Sequence, residues 1–174
     1  MFGFGKKKIK VIDLVDEIIV ILWKWRAEVL KKAKETGLSD LTHFTGELGA
    51  FVYSAADIAI QASNLNSEDQ AKIAANLEDK FAKKIKGMAF WRNKTKIAEG
   101  LLVRSIEYWG ARKAGGVHGW SEEMVCQFFE GLGEDLTKGD HDGVAIALIN
   151  SLVGIIDDTK AHINYKIGEK YKLV

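Results

Sequence analysis

The sequence predicts an all-α protein, a single compact bundle of about six helices. Apolar residues recur at spacings of three and four almost throughout the 174 residues, and strict alternation is rare. The chain has no proline, which suits long helices. Serine, aspartate and glycine stand between the periodic segments, where helices begin and end. The length is that of roughly one domain.

The first helix is predicted from about Ile9 to Glu35. Its apolar seam has spacings 4-3-4-3-4 and consists of Val11, Val15, Ile18, Leu22, Trp25 and Val29. Between Ile18 and Trp25 the helix is apolar nearly all round, so it must be covered on more than one side. Two interpretations stay open: the helix lies centrally in the bundle, or its second face contacts another protomer or a partner.

The second helix is predicted to begin at residue 39 or 40 and to end near residue 64, with one broad apolar stripe. The third begins at Ser67, which forms a capping-box pattern with Gln70, and closes at Gly87. The narrow apolar line of this third helix consists of Ile73, Leu77, Phe81 and Ile85.

The fourth helix is predicted from about Asn93 to Ala114, and a glycine-dense loop follows it. Its predicted buried face consists of Ile97, Ala98, Leu101, Leu102, Ile106 and Trp109. Ser121 then caps a fifth helix with an apolar face and two glutamates in its first turn.

The sixth helix, after Gly139, is apolar around more than half its circumference over residues 144–156. We therefore expect a central apolar helix near the C-terminus, with part of the first helix also innermost. The tail alternates apolar and polar residues from Tyr165 to Leu173. That pattern fits an extended segment or a continued helix, and both stay open.

Residues 1–8 are predicted to be a flexible leader, and residues 9–174 to be one helical domain. A lone Cys126 excludes an intramolecular disulfide framework and favours a reducing, cytoplasmic setting. The longest uncharged run, residues 143–156, has fourteen residues and is too short to cross a bilayer. The leader combines Phe2 and Phe4 with three lysines, so peripheral membrane contact is the alternative to a purely cytoplasmic protein.

Charge is unevenly distributed although the formal net charge is only +1. Residues 37–79 hold one basic and seven acidic groups, whereas residues 80–113 hold ten basic and two acidic groups. The candidate binding residues straddle the turn between the third and fourth helices: Lys80, Lys83, Lys84, Lys86, Trp91, Arg92, Lys94 and Lys96. Clustered cations beside an exposed aromatic ring suit nucleic acid or an anionic membrane surface. The alternative is a solvated helix face with its aromatic residues in the core.

Two pairs of residues are candidate metal ligands. His43 and Glu47 lie four positions apart on the second helix, and Asp158 and His162 lie four apart on the sixth. Facing helices would bring two imidazoles and two carboxylates together, a ligand set for a first-row metal. Ordinary hydrogen bonds and ion pairs at the helix surface are the competing interpretation.

The sequence contains no phosphate-binding loop, dinucleotide fingerprint, nucleophile elbow or HExxH motif, and it implies no cofactor. We therefore expect a non-enzymatic binding or assembly module that contacts an anionic partner and self-associates through the first helix. One alternative is a metal-binding hydrolase or redox enzyme that uses the two pairs above. Another is a carrier of a small apolar ligand, suggested by five Trp and eight Phe.

Overall fold

The computed structural model describes residues 7–36, 41–86, 94–116, 119–132 and 142–174, without the side chains of residues 7, 41–43, 86, 94–99, 102 and 168–172. The elements are β1 (Lys7–Ile9), α1 (Val11–Glu35), α2 (Leu41–Gln61), α3 (Ser67–Lys86), α4 (Lys94–Gly115), α5 (Trp120–Leu132), α6 (Asp142–Asn164), a π-helical segment (Tyr165–Lys170) and β2 (Tyr171–Leu173). The predicted all-α bundle of six helices is confirmed.

The helix in the middle of the bundle is α2, which packs against each of the other five helices. Residues 50–56 and 58–60 of α2 are all buried. The sequence predicts α6 and part of α1 to be innermost, but α6 exposes 59% of Ile146 and 41% of Val153. The four alanines in α2 allow neighbouring helices to pack closely against it. Apolar content alone, which is high in α6, does not show which helix is central.

Aromatic rings fill the space between α2, α4 and α5. The ring of Phe51 makes edge-to-face contacts with Tyr108 and Phe128, at 5.5 Å between centroids in each case. Phe128 makes further edge contacts with Phe44 at 5.2 Å and Phe129 at 5.6 Å. All five side chains are fully buried, so the cluster joins three helices through one continuous core.

The buried face of α4 differs from the predicted one. Ile106 is 64% exposed and Tyr108 is buried, whereas Leu101 is buried as predicted. Tyr108 can be buried because its hydroxyl donates to the Glu47 carboxylate on α2. Trp109 packs partly against the core, as predicted. The side chains of residues 97, 98 and 102 lie outside the described residues.

The two ends of the chain meet in a short parallel pairing of β1 with β2, with Lys7 opposite Tyr171 and Ile9 opposite Leu173. The tail is thus π-helical first and extended afterwards. Lys7 and Lys8, which the sequence predicts to lie in the leader, belong to this strand. A three-residue strand has too few residues to show an alternating pattern in the sequence. Its partner strand lies more than 160 positions away in the chain, so the pairing could not be predicted from local sequence. Residues 1–6 lie outside the described residues.

Candidate functional site

The basic stretch around the α3–α4 turn is described only in part. Lys80, Lys83 and Lys84 lie in the last two turns of α3. The other predicted members lie outside the described residues, either entirely or by their side chains: Lys86, Trp91, Arg92, Lys94 and Lys96.

Two of the three described cations have acidic partners. Lys80 is 20% exposed, forms an ion pair with Asp16 at 2.6 Å and donates to the Ile12 carbonyl at 3.0 Å. Lys83 pairs with Asp79 one turn earlier in α3, and its side chain is 60% exposed. Such an exposed pair contributes little stability and is readily exchanged for another anion. Lys80 therefore ties α3 to the start of α1, and Lys83 remains accessible.

Lys84 meets α1 at an aromatic side chain. Its Nζ lies 4.7 Å from the centroid of the Trp23 ring, and the Arg26 guanidinium carbon lies 5.5 Å from the same centroid. The Trp23 ring also makes an edge contact with Phe81 of α3. We call the surface formed by Trp23, Arg26, Lys83 and Lys84 the α1–α3 seam.

Arg26 is the unusual member of the α1–α3 seam. It is 5% exposed, its Nε has no hydrogen-bond partner, and no carboxylate among the described residues pairs with it. Burial lowers the pKa of Arg26 from its ordinary value, because removal from water disfavours the charged form. The seam therefore carries positive charge that the described residues do not neutralise.

The predicted metal ligand Glu47 belongs to a network of hydrogen bonds between α2, α4 and α5. Arg104 Nε lies 3.0 Å and 3.2 Å from the two carboxylate oxygens of Glu47. Arg104 Nη2 also donates a hydrogen bond to the Gln127 carbonyl oxygen at 3.1 Å. Burial, followed by the Glu47 charge, raises the pKa of Tyr108 well above its ordinary value. Burial disfavours the charge on Arg104, but Glu47 outweighs that effect and the pKa of Arg104 rises.

The other predicted ligand pair lies at the opposite end of the bundle. The Asn64 backbone N–H donates to Asn164 Oδ1 at 2.9 Å, so the C-terminal ends of α2 and α6 meet. Glu47 precedes the end of α2 by fourteen residues, which is about 20 Å of helix. Asp158 and His162 lie within two turns of Asn164. Glu47 therefore cannot share a metal ion with them.

Asp158 and His162 have partners on α1 instead. Asp158 accepts a hydrogen bond from Trp25 Nε1 at 2.9 Å, and His162 Nε2 lies 2.7 Å from Glu17 Oε2. The His43 side chain lies outside the described residues. In the described part of the chain, no group of three or more His, Cys, Asp or Glu is placed to hold a metal ion. The three predicted ligands whose side chains are described, Glu47, Asp158 and His162, form contacts between helices instead.

Glu17 joins α1 to the end of α6 and to the π-helical segment. Lys166 Nζ donates to Glu17 Oε1 at 2.9 Å, opposite the contact with His162. Burial opposes the ionisation of Glu17, but the hydrogen bonds from Lys166 and His162 outweigh it. The pKa of Glu17 therefore lies below its ordinary value of 4.5.

We expect Glu17 to stabilise the fold in a pH-dependent way. Because its pKa is lowered in the folded state, its contribution is complete above pH 4.5 and is lost as the pH falls through the folded-state pKa. The Glu17 side chain is 39% exposed, so solvent limits the contribution to below about 1 kcal/mol. Urea unfolding of wild type and Glu17→Gln should show a difference at pH 7 that disappears near pH 3. A difference of equal size at both pH values would contradict this assignment.

Two grooves lie on the surface between α1 and α6. One of about 540 Å³ includes Trp25, Lys31 and Ile146, and one of about 440 Å³ includes Val20, Ala161 and Tyr165. Lys24 lines both grooves, so they lie next to each other on the surface.

Comparisons with protein families, curated proteins and solved structures gave no match.

Sequence reasoning missed Arg26 and Trp23. Their signal was present, because Arg26 stands between Leu22 and Val29 in a helix that is apolar nearly all round. A cation in such a position must be covered by neighbouring elements. Its contact with Trp23 follows from their separation of three positions on one helix.

None of the described helices is both long and apolar enough to span a bilayer.

Proposed function

We propose that this protein is a non-enzymatic binding and assembly module whose α1–α3 seam binds the phosphate backbone of a nucleic acid. The observation that carries the proposal is the unneutralised positive charge beside Trp23. Lys84 is exposed, Arg26 is buried, and no acidic group among the described residues pairs with either. A phosphate at the seam would supply the missing negative charge.

The direction of the helices adds further cations at this end of the bundle. Asp16 contacts Lys80, and Trp23 contacts Lys84, so α1 and α3 run in the same direction. The exposed Lys34 in the last turn of α1 therefore lies at the same end as the lysines that end α3. Lys86 is the last residue of α3, and the predicted cations of residues 92–96 come next in the chain.

Nucleic acid fits the seam better than a membrane surface does. Docking on a membrane requires apolar side chains that insert between lipids. The described part of α3 has no large apolar side chain among the exposed ones, and Trp23 is half-buried. Phosphate contacts require only accessible cations, which Lys83 and Lys84 provide.

We expect Lys83→Glu/Lys84→Glu to weaken binding of a fluorescein-labelled 20-base-pair DNA, measured by fluorescence anisotropy in low salt. The affinity should fall at least about tenfold, and the slope of log K against log salt should decrease by about two, because two phosphate contacts are lost. Vesicles of phosphatidylserine and phosphatidylcholine serve as the membrane probe in parallel.

The matched control is Lys72→Glu/Lys113→Glu, which changes the net charge equally but at exposed lysines away from the seam. It should bind DNA within about threefold of wild type, because it changes the net charge as the seam variant does but removes no phosphate contact at the seam. If wild type binds no DNA in low salt, or if both double variants lose affinity equally, the proposal fails. Binding to vesicles alone would replace nucleic acid with a lipid surface.

Self-association through α1, the other predicted contact, would use a different face of this helix, the one beside α6.

A further inference from the structure

On the outward face of α1, side chains are spaced as in a helix that pairs with a second helix. Six positions follow each other at intervals 4-3-4-3-4: Asp13, Glu17, Val20, Lys24, Ala27 and Lys31. Five of them are exposed and Glu17 is partly exposed, although α1 packs against α2, α3 and α6 on its other sides. The interval 4-3 places side chains along one line of a helix that pairs with another.

The charges along α1 are complementary to those of a second, antiparallel α1. Residues 11–20 hold three acidic groups and no basic one, and residues 21–35 hold five basic and two acidic groups. On this outward face, Asp13 lies near one end and Lys31 near the other, and neither has an ion pair among the described residues. Antiparallel pairing places the acidic half of each helix on the basic half of the other.

Apolar side chains of α6 continue this face. Ile146 is 59% exposed, Val153 41% and Tyr165 at the end of the helix 46%, and Val20 on α1 is 67% exposed. These are four of the eight large apolar side chains that are exposed in the described part of the chain. From residue 146 to residue 165 the chain extends for about 28 Å, and Ile146, Val20 and Tyr165 line the grooves between α1 and α6.

We propose that a second copy of this chain packs on the α1–α6 face by two-fold symmetry. The two α1 helices run antiparallel, with Asp13 opposite Lys31 of the partner subunit and Val20 opposite Lys24 of the partner subunit. The proposal deepens the assembly role proposed for α1 and uses a surface separate from the α1–α3 seam. A two-fold axis requires one self-complementary patch, and the palindromic charge order of α1 provides it.

The size of the face is typical of a weak interface. Two helices side by side over this length present about 30 by 20 Å, or roughly 600 Å² per protomer, near the lower limit for a specific interface. The dimer should therefore be weak, with a Kd on the order of 10 µM. Sedimentation velocity over a series of protein concentrations should show the weight-average mass rising from one chain towards two.

Val20→Lys tests the centre of the interface, because it brings the new lysine against Lys24 of the partner subunit. We expect a dimer Kd at least about tenfold higher. The matched control is Ile106→Lys, at an equally exposed apolar position on α4, which should leave the Kd unchanged. A protein that stays monomeric at several hundred micromolar, or a dimer indifferent to Val20→Lys, would overturn the proposal.

The register is tested by exchanging charges. Asp13→Lys and Lys31→Asp should each weaken the dimer about tenfold, and the double variant should return to within about threefold of wild type. The two positions are about 27 Å apart on one helix, so only contact between two chains allows one change to compensate the other. Failure of the rescue refutes this register. DNA binding by Val20→Lys shows separately whether the α1–α3 seam functions.

Discussion

Replacing Glu47 with alanine is expected to lower the free energy of unfolding by about 3 kcal/mol. Glu47 is 11% exposed and is the acceptor for both Arg104 and Tyr108. Without it, the fully buried Tyr108 hydroxyl loses its acceptor, and Arg104, which is 21% exposed, loses its better-shielded carboxylate. Urea unfolding monitored by circular dichroism measures the difference, and the slope of the transition should not change.

The control is the second carboxylate on the same guanidinium. Glu107 also pairs with Arg104, but its side chain is 43% exposed, so Glu107→Ala should cost less than about 0.5 kcal/mol. Glu47→Gln keeps an acceptor for Tyr108 while removing the charge, and should fall between the two. Equal losses for Glu47→Ala and Glu107→Ala would mean that the network does not stabilise the packing of α2 on α4.

The bounds of the helices could be predicted because their signals are local. Capping residues and glycines lie within a few positions of the ends they mark, and α3 begins at Ser67 as predicted. Even so, the side chain that accepts the first-turn amide, at 2.9 Å from Asp69 N, is the preceding Asn66. Local sequence therefore locates an end of a helix but not which of two polar neighbours caps it.

The orientation of α4 could not be predicted, because it depends on a distant residue. Ile106 belongs to the apolar spacing, whereas a tyrosine hydroxyl indicates partial exposure. The fold reverses these positions because Glu47, 61 positions earlier, accepts the Tyr108 hydroxyl. Only knowledge that α2 packs against α4 would have revealed that acceptor.

The candidate site was partly predictable for the same reason. Lys83 and Lys84 were found from the local excess of positive charge. The partner of Lys80 is Asp16, 64 positions earlier, and Arg26 reaches the same surface from α1. The paired spacing of Asp158 and His162 was also recognised. That spacing is a property of α6 alone. The partners of these side chains lie on α1, where Trp25 contacts Asp158 and Glu17 contacts His162.

Replacing Phe51 with alanine is expected to cost about 4 kcal/mol, the largest single loss among these variants. Phe51 lies in the middle of α2 and is fully buried. The substitution leaves a cavity where three helices meet and removes two edge-to-face contacts, with Tyr108 and Phe128. Because total stability for a domain of this size is about 5–15 kcal/mol, the variant should still fold in the absence of denaturant and unfold at a much lower urea concentration.

Two substitutions separate the loss of the ring from a general effect of apolar truncation. Phe51→Leu keeps much of the volume and should cost less than about 2 kcal/mol. Ile106→Ala truncates a residue that apolar spacing places in the core but that is 64% exposed, and should change stability by less than about 0.5 kcal/mol. If Ile106→Ala were as damaging as Phe51→Ala, α4 would be turned the other way, and Tyr108 could not reach Glu47.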